Sequence, residues 1–246
     1  MLKESETAFP EYKINAVVES INVIAQSELD FIARLTESGL WIEENLMVAA
    51  KQYTSPEDYL KYERMAPTKS EYINGQIFAM AGASRQHNRI TFNATGLLHA
   101  QLQGKPCEGF ANDMRVKVQD NSLYTYPDIV VVCGEANFTD EALDTLLNPT
   151  LIIEVLSDST EKYDRGKKFA HYQRIESLRE YVLISQDEAR IDCFTRQPDD
   201  RWMLSKAERL EDAITLESID CTLPLTEVYA RVQFESAEVT QTEGED

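Results

Sequence analysis

The sequence lacks several features that would place it in a common class. It contains no run of about 18 apolar residues, which excludes a transmembrane helix. No apolar stretch directly follows the first residues, so we do not expect a secretory signal. It has neither the phosphate-binding pattern G-x-x-x-x-G-K-[ST] nor the nucleophile elbow of serine hydrolases. These absences argue against a membrane protein, a P-loop nucleotidase and a serine hydrolase.

Cysteine is scarce, with four residues in a chain of 246. The four cysteines lie far apart and form no C-x-x-C pair, which argues against a zinc knuckle or a dithiol motif. We therefore expect reduced thiols in a cytoplasmic protein.

Basic residues are also few. The chain carries 24 Lys and Arg against 43 Asp and Glu, a formal net charge of -19. Such a balance seldom accompanies a nucleic-acid partner. However, more than half of the acidic excess lies in the two ends, 1–46 and 235–246. The field at a site in the middle of the chain is thus less negative than the total suggests.

The pattern along the chain predicts three parts. Residues 1–50 form a helical extension, because Ile14, Val17, Ile21 and Ile24 recur at helical spacing. This extension could pack on the main domain or on a partner, including a second copy in a homodimer, and Met47 is an alternative start. Residues 51–234 hold the globular pattern. Residues 235–246 form a short acidic tail, which we expect to be disordered.

The globular part mixes helix and strand signals. A helix is expected from Ser55 to about Arg64, a hairpin around Asn74-Gly75, and a longer helix ending at Gly104. Continuous apolar runs at 129–133 and 151–156 predict strands buried on both faces, followed by a helix over about 160–175 and further strands. The order indicates an α/β or α+β domain with a mixed central sheet flanked by helices.

Two acidic residues stand out by their position. Asp128 begins one apolar strand, and Glu154 lies inside another. An ionised carboxylate in a dry strand requires a cation, a hydrogen-bond cage or a metal. If the strands are neighbours, Mg²⁺ or Mn²⁺ would relieve the repulsion between the carboxylates. Taken singly, each acid is better explained as a turn residue or as the partner of an arginine.

The helix after Glu154 carries Asp164, Lys168 and Tyr172 at intervals of four, which places them on one face. Lys168 could then point at the carboxylates and orient or activate an attacking water. For the lysine alone, a surface ion pair with Asp164 is the simpler explanation, worth about 0.3–0.5 kcal/mol.

Together these residues form an ordered set of motifs. The set comprises Glu71-Tyr72-Ile73-x-Gly75, Ala81-Gly82-Ala83-Ser84-x-x-His87-Asn88, Asp113-Met114-Arg115-Val116, Pro127-Asp128, Glu154-Val155-Leu156, Asp164-x-x-x-Lys168-x-x-x-Tyr172 and Leu178-Arg179-Glu180-Tyr181. It resembles the Uma-two family of bacterial restriction-endonuclease-like proteins, a branch of the PD-(D/E)XK nuclease superfamily. The resemblance extends from about Tyr53 to Val232, and it implies a restriction-endonuclease-like core.

The resemblance also implies roles. Asp128 and Glu154 would bind the metal, and Lys168 would assist the water. Glu71 would complete the metal shell, with an ordinary surface acid at a helix end as an equal alternative. The superfamily pattern needs lysine at position 156, where this chain has Leu156, so the lysine would come from the next helix. Lys162 and Lys167 compete for that role. For His87, Asp113 and Tyr172 we favour structural roles.

A DNA partner requires positive charge near the site. The candidates are Lys162, Arg165, Lys167, Lys168, Arg174, Arg179, Arg115, Lys117, Arg85 and Arg89. They predict weak, salt-sensitive binding to phosphates.

The leading hypothesis is a divalent-metal-dependent endonuclease that hydrolyses DNA. The alternative is a nuclease-fold binding or regulatory module without catalysis, and a hydrolase of another phosphate ester is a third interpretation.

Overall fold

A computed structural model describes residues 53–118, 123–157 and 159–234. The helical extension predicted over 1–50, the alternative start at Met47 and the acidic tail predicted over 235–246 lie outside these residues. Within them, no helix is long and apolar enough to cross a membrane.

The described residues form helices and strands in the mixed order that the sequence predicts. The helices are α1 (Pro56–Glu63), α2 (Arg85–Leu102), α3 (Glu161–Tyr163), α4 (Phe169–Tyr172) and α5 (Leu225–Val228), with a π-helical turn (Asp164–Lys168) between α3 and α4. The strands are β1 (Ser70–Ile73), β2 (Gln76–Ala79), β3 (Cys107–Ala111), β4 (Arg115–Val118), β5 (Leu123–Thr125), β6 (Ile129–Cys133), β7 (Thr145–Leu146), β8 (Leu151–Val155), β9 (Glu180–Ile184), β10 (Ile191–Arg196), β11 (Trp202–Ala207), β12 (Ala213–Leu216) and β13 (Cys221–Pro224).

The strands divide between two larger sheets and a small hairpin. The six-stranded sheet has the order β11-β10-β9-β8-β6-β3, in which β8 and β9 are parallel and the other pairs antiparallel. The five-stranded sheet has the order β2-β1-β5-β4-β7, and β12 pairs with β13. The predicted α+β class with mixed sheets is confirmed, and the strands that the sequence assigned to one central sheet are shared between two.

The middle of the six-stranded sheet is buried on both faces. All five residues of β8 and all five of β9 are buried. Alternate residues enter two different cores: Leu151 and Ile153 pack with α2 and α5, whereas Ile152 packs with β4, β5 and α4. This explains the continuous apolar runs in the sequence, because a strand covered on both sides has no polar face.

The local signals at the start of the domain are confirmed. The Ser55 side chain accepts a hydrogen bond from the Asp58 backbone N–H and caps α1. Asn74 and Gly75 both have positive φ, 47° and 88°, which is the geometry of a tight hairpin turn. The hairpin β1–β2 therefore forms where Asn-Gly predicts it.

The helix predicted over about 160–175 is interrupted. Its middle, Asp164–Lys168, is a π-helical turn between two short α-helical segments. Sequence periodicity does not reveal a π-helical turn, because it rotates the residues that follow by only a small angle around the helix axis.

The expectation of four reduced cysteines is wrong for two of them. Cys107 and Cys133 form a disulfide, whereas Cys193 and Cys221 are free and buried. Pairing of β3 with β6 places Cys107 directly opposite Cys133. The two are 26 residues apart in sequence, so only the strand register brings them together.

Candidate active site

Two carboxylates meet where the neighbouring strands β6 and β8 of the six-stranded sheet begin and end. Asp128 directly precedes β6, and Glu154 is the fourth residue of β8. Because Ile129 pairs with Ile153 in antiparallel register, one further step sets Asp128 opposite Glu154, with both side chains on the same face. The Asp128 Oδ2 atom accepts a hydrogen bond of 2.7 Å from the Val155 backbone N–H. The carboxylate thus continues the pairing of the two strands.

The Lys168 ammonium lies among carboxylates. Its Nζ atom is 2.9 Å from Glu154 Oε1, 3.3 Å from Glu71 Oε1 and 3.5 Å from Asp164 Oδ1. Lys168 is only 5% exposed, so its pair with Asp164 is buried rather than at the surface. The competing Lys162 and Lys167 are exposed. We call Glu71, Asp128, Glu154, Asp164 and Lys168 the lysine cluster.

The π-helical turn aligns the helical members of this cluster. In a regular α-helix each residue turns by 100°, so Tyr172 would lie about 80° from Asp164 after eight residues. A π-helical turn holds more residues and reduces that drift. As a result Asp164, Lys168 and Tyr172, all buried, face the same carboxylates.

Glu71 reaches the cluster from the other large sheet. It lies in β1 of the hairpin, and the Thr125 hydroxyl of the neighbouring strand β5 donates a hydrogen bond to its Oε1 atom. The same oxygen contacts Lys168. The cluster therefore lies where the five-stranded sheet approaches the six-stranded one, which the sequence alone does not indicate.

Two residues for which we favoured structural roles also contact the carboxylates. The Tyr172 hydroxyl donates a hydrogen bond of 2.8 Å to Glu154 Oε1. His87, in the first turn of α2, places its Nε2 atom 3.2 Å from Asp128 Oδ2. The available signal for His87 was its place in the Ala81–Asn88 motif. Asp113, in contrast, is exposed and pairs with Lys69, as a structural acid would.

Burial sets the electrostatics of the cluster. Burial, reinforced by the charges of Asp164 and Asp128, raises the pKa of Glu154 to about 8 although Lys168 opposes the shift. Burial likewise raises the pKa of Asp164. Burial lowers the pKa of Lys168, but its acidic neighbours, Glu154 first, raise it well above the usual value. Lys168 therefore stays charged, but its single positive charge does not balance the acids Glu71, Glu154 and Asp164 around it.

The carboxylates of the site suit a hard divalent cation that takes only a few ligands from the protein. In the described part of the chain, no three His, Cys, Asp or Glu side chains converge as metal ligands. Asp128 and Glu154 each keep one carboxylate oxygen, Oδ1 and Oε2, without a hydrogen bond from any described residue. Mg²⁺ is commonly held by one or two carboxylates and several waters, so these two residues fit it.

Some predicted phosphate-binding residues are engaged elsewhere. Arg115 is 2% exposed and its guanidinium donates hydrogen bonds to the Tyr126 hydroxyl (2.7 Å) and the Thr145 hydroxyl (2.9 Å). It also lies 3.0 Å from Asp144, which Arg64 contacts at 2.8 Å. The Tyr126 hydroxyl donates to Glu63 Oε1. We call Glu63, Arg64, Arg115, Tyr126 and Asp144 the arginine cluster. Arg115 is thus excluded as a DNA contact.

Arg165 is likewise bound within the fold. It pairs with Glu161 at 2.7 Å and with the buried Asp192 at 2.5 Å. Lys162, Lys167, Arg85, Arg174 and Arg179 remain exposed.

Comparison with known proteins identifies the family. Residues 56–226 match the family Uma2, described as "Putative restriction endonuclease". The chain belongs to the Uma2 family. The match spans the hairpin, α2 and every strand that carries the lysine cluster, so the family match and the cluster describe the same part of the chain.

Two relatives of this Uma2 chain come from Synechocystis sp. One, "Uncharacterized protein sll1609", is 38% identical over 161 residues, covering 65% of this chain and 91% of the relative. The other, "Uncharacterized protein slr1290", is 33% identical over 180 residues, covering 73% and 93%.

A solved structure shows the same fold. It is described as a "putative nuclease belonging to DUF820 from Anabaena variabilis". It has a TM-score of 0.61 and 18% sequence identity, and the match covers 73% of this chain and 99% of that one. The restriction-endonuclease-like fold expected from the resemblance is confirmed.

Proposed function

We propose that this Uma2 protein is a divalent-metal-dependent endonuclease that hydrolyses DNA phosphodiester bonds at the lysine cluster. The observation that carries the proposal is the convergence of Asp128, Glu154 and Lys168, which are distant in sequence. The matched family is described as "Putative restriction endonuclease", which supports a nucleic-acid substrate.

Asp128 and Glu154 would hold Mg²⁺ or Mn²⁺ through the oxygens that face away from Val155 and Lys168. When bound, such an ion lowers the pKa of a water and polarises the scissile phosphate. Val155 and His87 fix the orientation of Asp128, while Tyr172 fixes that of Glu154.

Lys168 would orient the attacking water and stabilise the charge that grows on the phosphate in the transition state. Its charge is secured by Glu71 and Asp164 as well as Glu154. Glu71 would therefore act on the lysine first, keeping the ammonium aimed at the site when Glu154 turns to the metal.

A titration tests the proposal. The purified protein receives Mg²⁺ or Mn²⁺ while its melting temperature and the integrity of a plasmid are followed together. We expect a rise in melting temperature by mass action and nicking in the same concentration range. In Glu154→Ala both responses should disappear, and full activity in that folded variant would contradict the assignment.

One observation favours the alternative, a nuclease-fold binding module without catalysis. Lys168 already forms ion pairs with Glu154, Glu71 and Asp164, so the chain itself balances part of their negative charge. A chain of this kind would show neither a change in melting temperature nor nicking with any divalent ion. The same titration therefore decides between the two functions.

A further inference from the structure

One stretch of the chain is free of acids. Between Glu71 and Glu108, residues 72–107 contain no Asp or Glu, although the protein has 43 of them. The centre of the stretch is α2, whose 18 residues include two arginines and two histidines. In a protein of net charge -19, this is a local region of positive charge.

The helix presents this charge on its outer side. Ile90, Ala94 and Leu98 bury the opposite side of α2. On the outer side lie the residues that we call the α2 strip: Arg85, Arg89, Phe92, Gly96 and His99, of which Arg89 is half-buried and the others are exposed. Neither arginine forms an ion pair with another residue among those that the structure describes.

An exposed aromatic ring interrupts the basic residues. Phe92 is 72% exposed, which is unusual for a large apolar side chain in a helix that has a buried face available. It lies one turn beyond Arg89. A ring displayed beside cations is the arrangement by which proteins stack unpaired bases and hold the adjoining phosphates.

Beyond Phe92 the strip borders a groove. A cavity of about 610 Å³ lies between α2 and β3, the edge strand of the six-stranded sheet, and Phe92, Gly96, His99, Gly109 and Phe110 line part of it. Apart from its chain neighbours and the backbone of its own helix, no atom lies within 4 Å of where a side chain at Gly96 would begin, so the groove is open at that point.

The first turn of α2 lies beside the lysine cluster. His87, in the first turn of α2, lies 3.2 Å from Asp128. The helix is about 27 Å long, enough for several nucleotides. A strand that leaves the cluster on this side would meet Arg85 and Arg89 first, then Phe92, and then the groove.

We propose that the α2 strip binds single-stranded nucleic acid, holding the flank of the substrate next to the cut phosphate. Arg85 and Arg89 contact phosphates, and Phe92 stacks on a base at the entrance to the groove. The assignment of this strand as substrate rests on the function proposed above. A duplex hides the faces of its bases, so it would use the arginines but not Phe92.

Binding is measured without cleavage. Fluorescence anisotropy of a labelled 12-nucleotide DNA is followed in EDTA at several salt concentrations, with the full chain. We expect wild type to bind the single strand more tightly than the matching duplex. Loss of two phosphate contacts in Arg85→Ala/Arg89→Ala should weaken binding at least tenfold at low salt and lower the slope of log Kd against log salt by about 1.4.

Phe92 supplies the sharper test. Phe92→Ala should weaken single-strand binding at least fivefold with no change in duplex binding, since stacking contributes about 1–3 kcal/mol per base. Phe92→Trp should keep the affinity and gain a fluorescence signal that DNA quenches. Melting temperatures close to that of wild type show that these surface variants fold.

Two controls match the variants. Arg201→Ala/Arg209→Ala removes the same charge from exposed positions on either side of β11, the edge strand of the six-stranded sheet that lies opposite β3. Tyr62→Ala removes another exposed ring, in α1. Both should change binding less than twofold. An equal loss in the controls would mean that only net charge matters, and it would overturn the proposal.

The remaining outcomes separate the inference from the proposed function. Nicking of plasmid without single-strand binding would overturn the role of the α2 strip and leave the proposed nuclease activity standing. The same follows if the protein prefers duplex and Phe92→Ala does not change that preference. Single-strand binding that depends on the strip, without cleavage by any divalent ion, supports the strip and overturns the nuclease. Failure to bind any oligonucleotide refutes the strip and favours a protein partner for the groove.

Discussion

The lysine cluster and the arginine cluster are balanced in opposite ways. In the arginine cluster, two guanidiniums face Asp144, and their hydrogen bonds, Arg64 first, hold the pKa of that carboxyl below its usual range. In the lysine cluster, one ammonium faces Glu71, Glu154 and Asp164, and burial raises the pKa of Glu154 to about 8. In the first cluster, two arginines balance the charges of Asp144 and Glu63. The second cluster has more carboxylates than ammonium groups, and a cation site requires such an excess.

The largest expected effect is on the rate of DNA cleavage, which depends on the lysine cluster. Lys168→Ala should lower the rate of DNA cleavage by about 10²–10⁴-fold, the usual contribution of a group that handles protons. Lys167→Ala, the exposed neighbour, is the control and should stay within about twofold. Single-turnover cleavage of labelled DNA measures both, and equal rates in the two variants would remove Lys168 from the site.

Stability should respond most to the arginine cluster. Arg115→Met removes the buried partner of Asp144 and the guanidinium that donates to the Tyr126 hydroxyl, and it should cost about 3–5 kcal/mol in the free energy of unfolding. Arg64→Met, whose side chain is one-third exposed, should cost about 1 kcal/mol or less. Urea denaturation measures the two free energies. A small loss in Arg115→Met would show that this cluster is not a structural support.

The two clusters should also differ in their dependence on pH. The unfolded pKa of a glutamate is about 4.3, so between that pH and about 8 the folded, metal-free protein holds a proton on Glu154 that the unfolded chain has released. This contribution to stability is therefore present at low pH and falls as pH rises, by at most about 1.4 kcal/mol per pH unit. Glu154→Gln should remove the fall, as urea denaturation in EDTA would show.

Asp144 should change the free energy of unfolding with pH in the opposite direction to Glu154. Its folded pKa is lowered, so its contribution is present above about pH 4 and is lost as pH falls. Asp144→Asn should therefore flatten the acid side of the stability profile and leave the alkaline side unchanged. The same denaturation series checks both variants, and a common sign in both would refute the contrast between the clusters.

The smallest effect is expected for Tyr172. Tyr172→Phe removes one hydrogen bond from Glu154 Oε1, worth about 1 kcal/mol. We expect a loss of cleavage rate of a few-fold and a shift of the acid limb of the pH–rate profile to higher pH, because the hydroxyl favours the ionised carboxylate. A rate loss without that shift would mean that Tyr172 only packs.

The sequence predicts the elements better than their assembly. The Ser55 cap, the Asn74-Gly75 turn and the run at 151–156 carry local signals, and the structure confirms each. Sharing of strands between two sheets and pairing of Cys107 with Cys133 depend on register over long separations, for which one sequence carries no local signal.

The same limit applies to the candidate site. Asp128 and Glu154 stood out because an acid in a buried strand is costly, and Lys168 stood out by its spacing from Asp164. His87 and Arg115 are ordinary in their local context, and only the fold shows one beside Asp128 and the other buried beside Asp144. Tertiary contacts decide their roles.

The hydrogen bond from Val155 to Asp128 gives Asp128 a part in folding as well as in the site. The carboxylate accepts the last hydrogen bond between strands β6 and β8, and the amide oxygen of an asparagine could accept it equally well. A relative that has lost its chemistry thus still has a folding reason to keep Asp or Asn at this point. An amine at the position of Lys168, which costs stability to bury, is the better mark of a working family member.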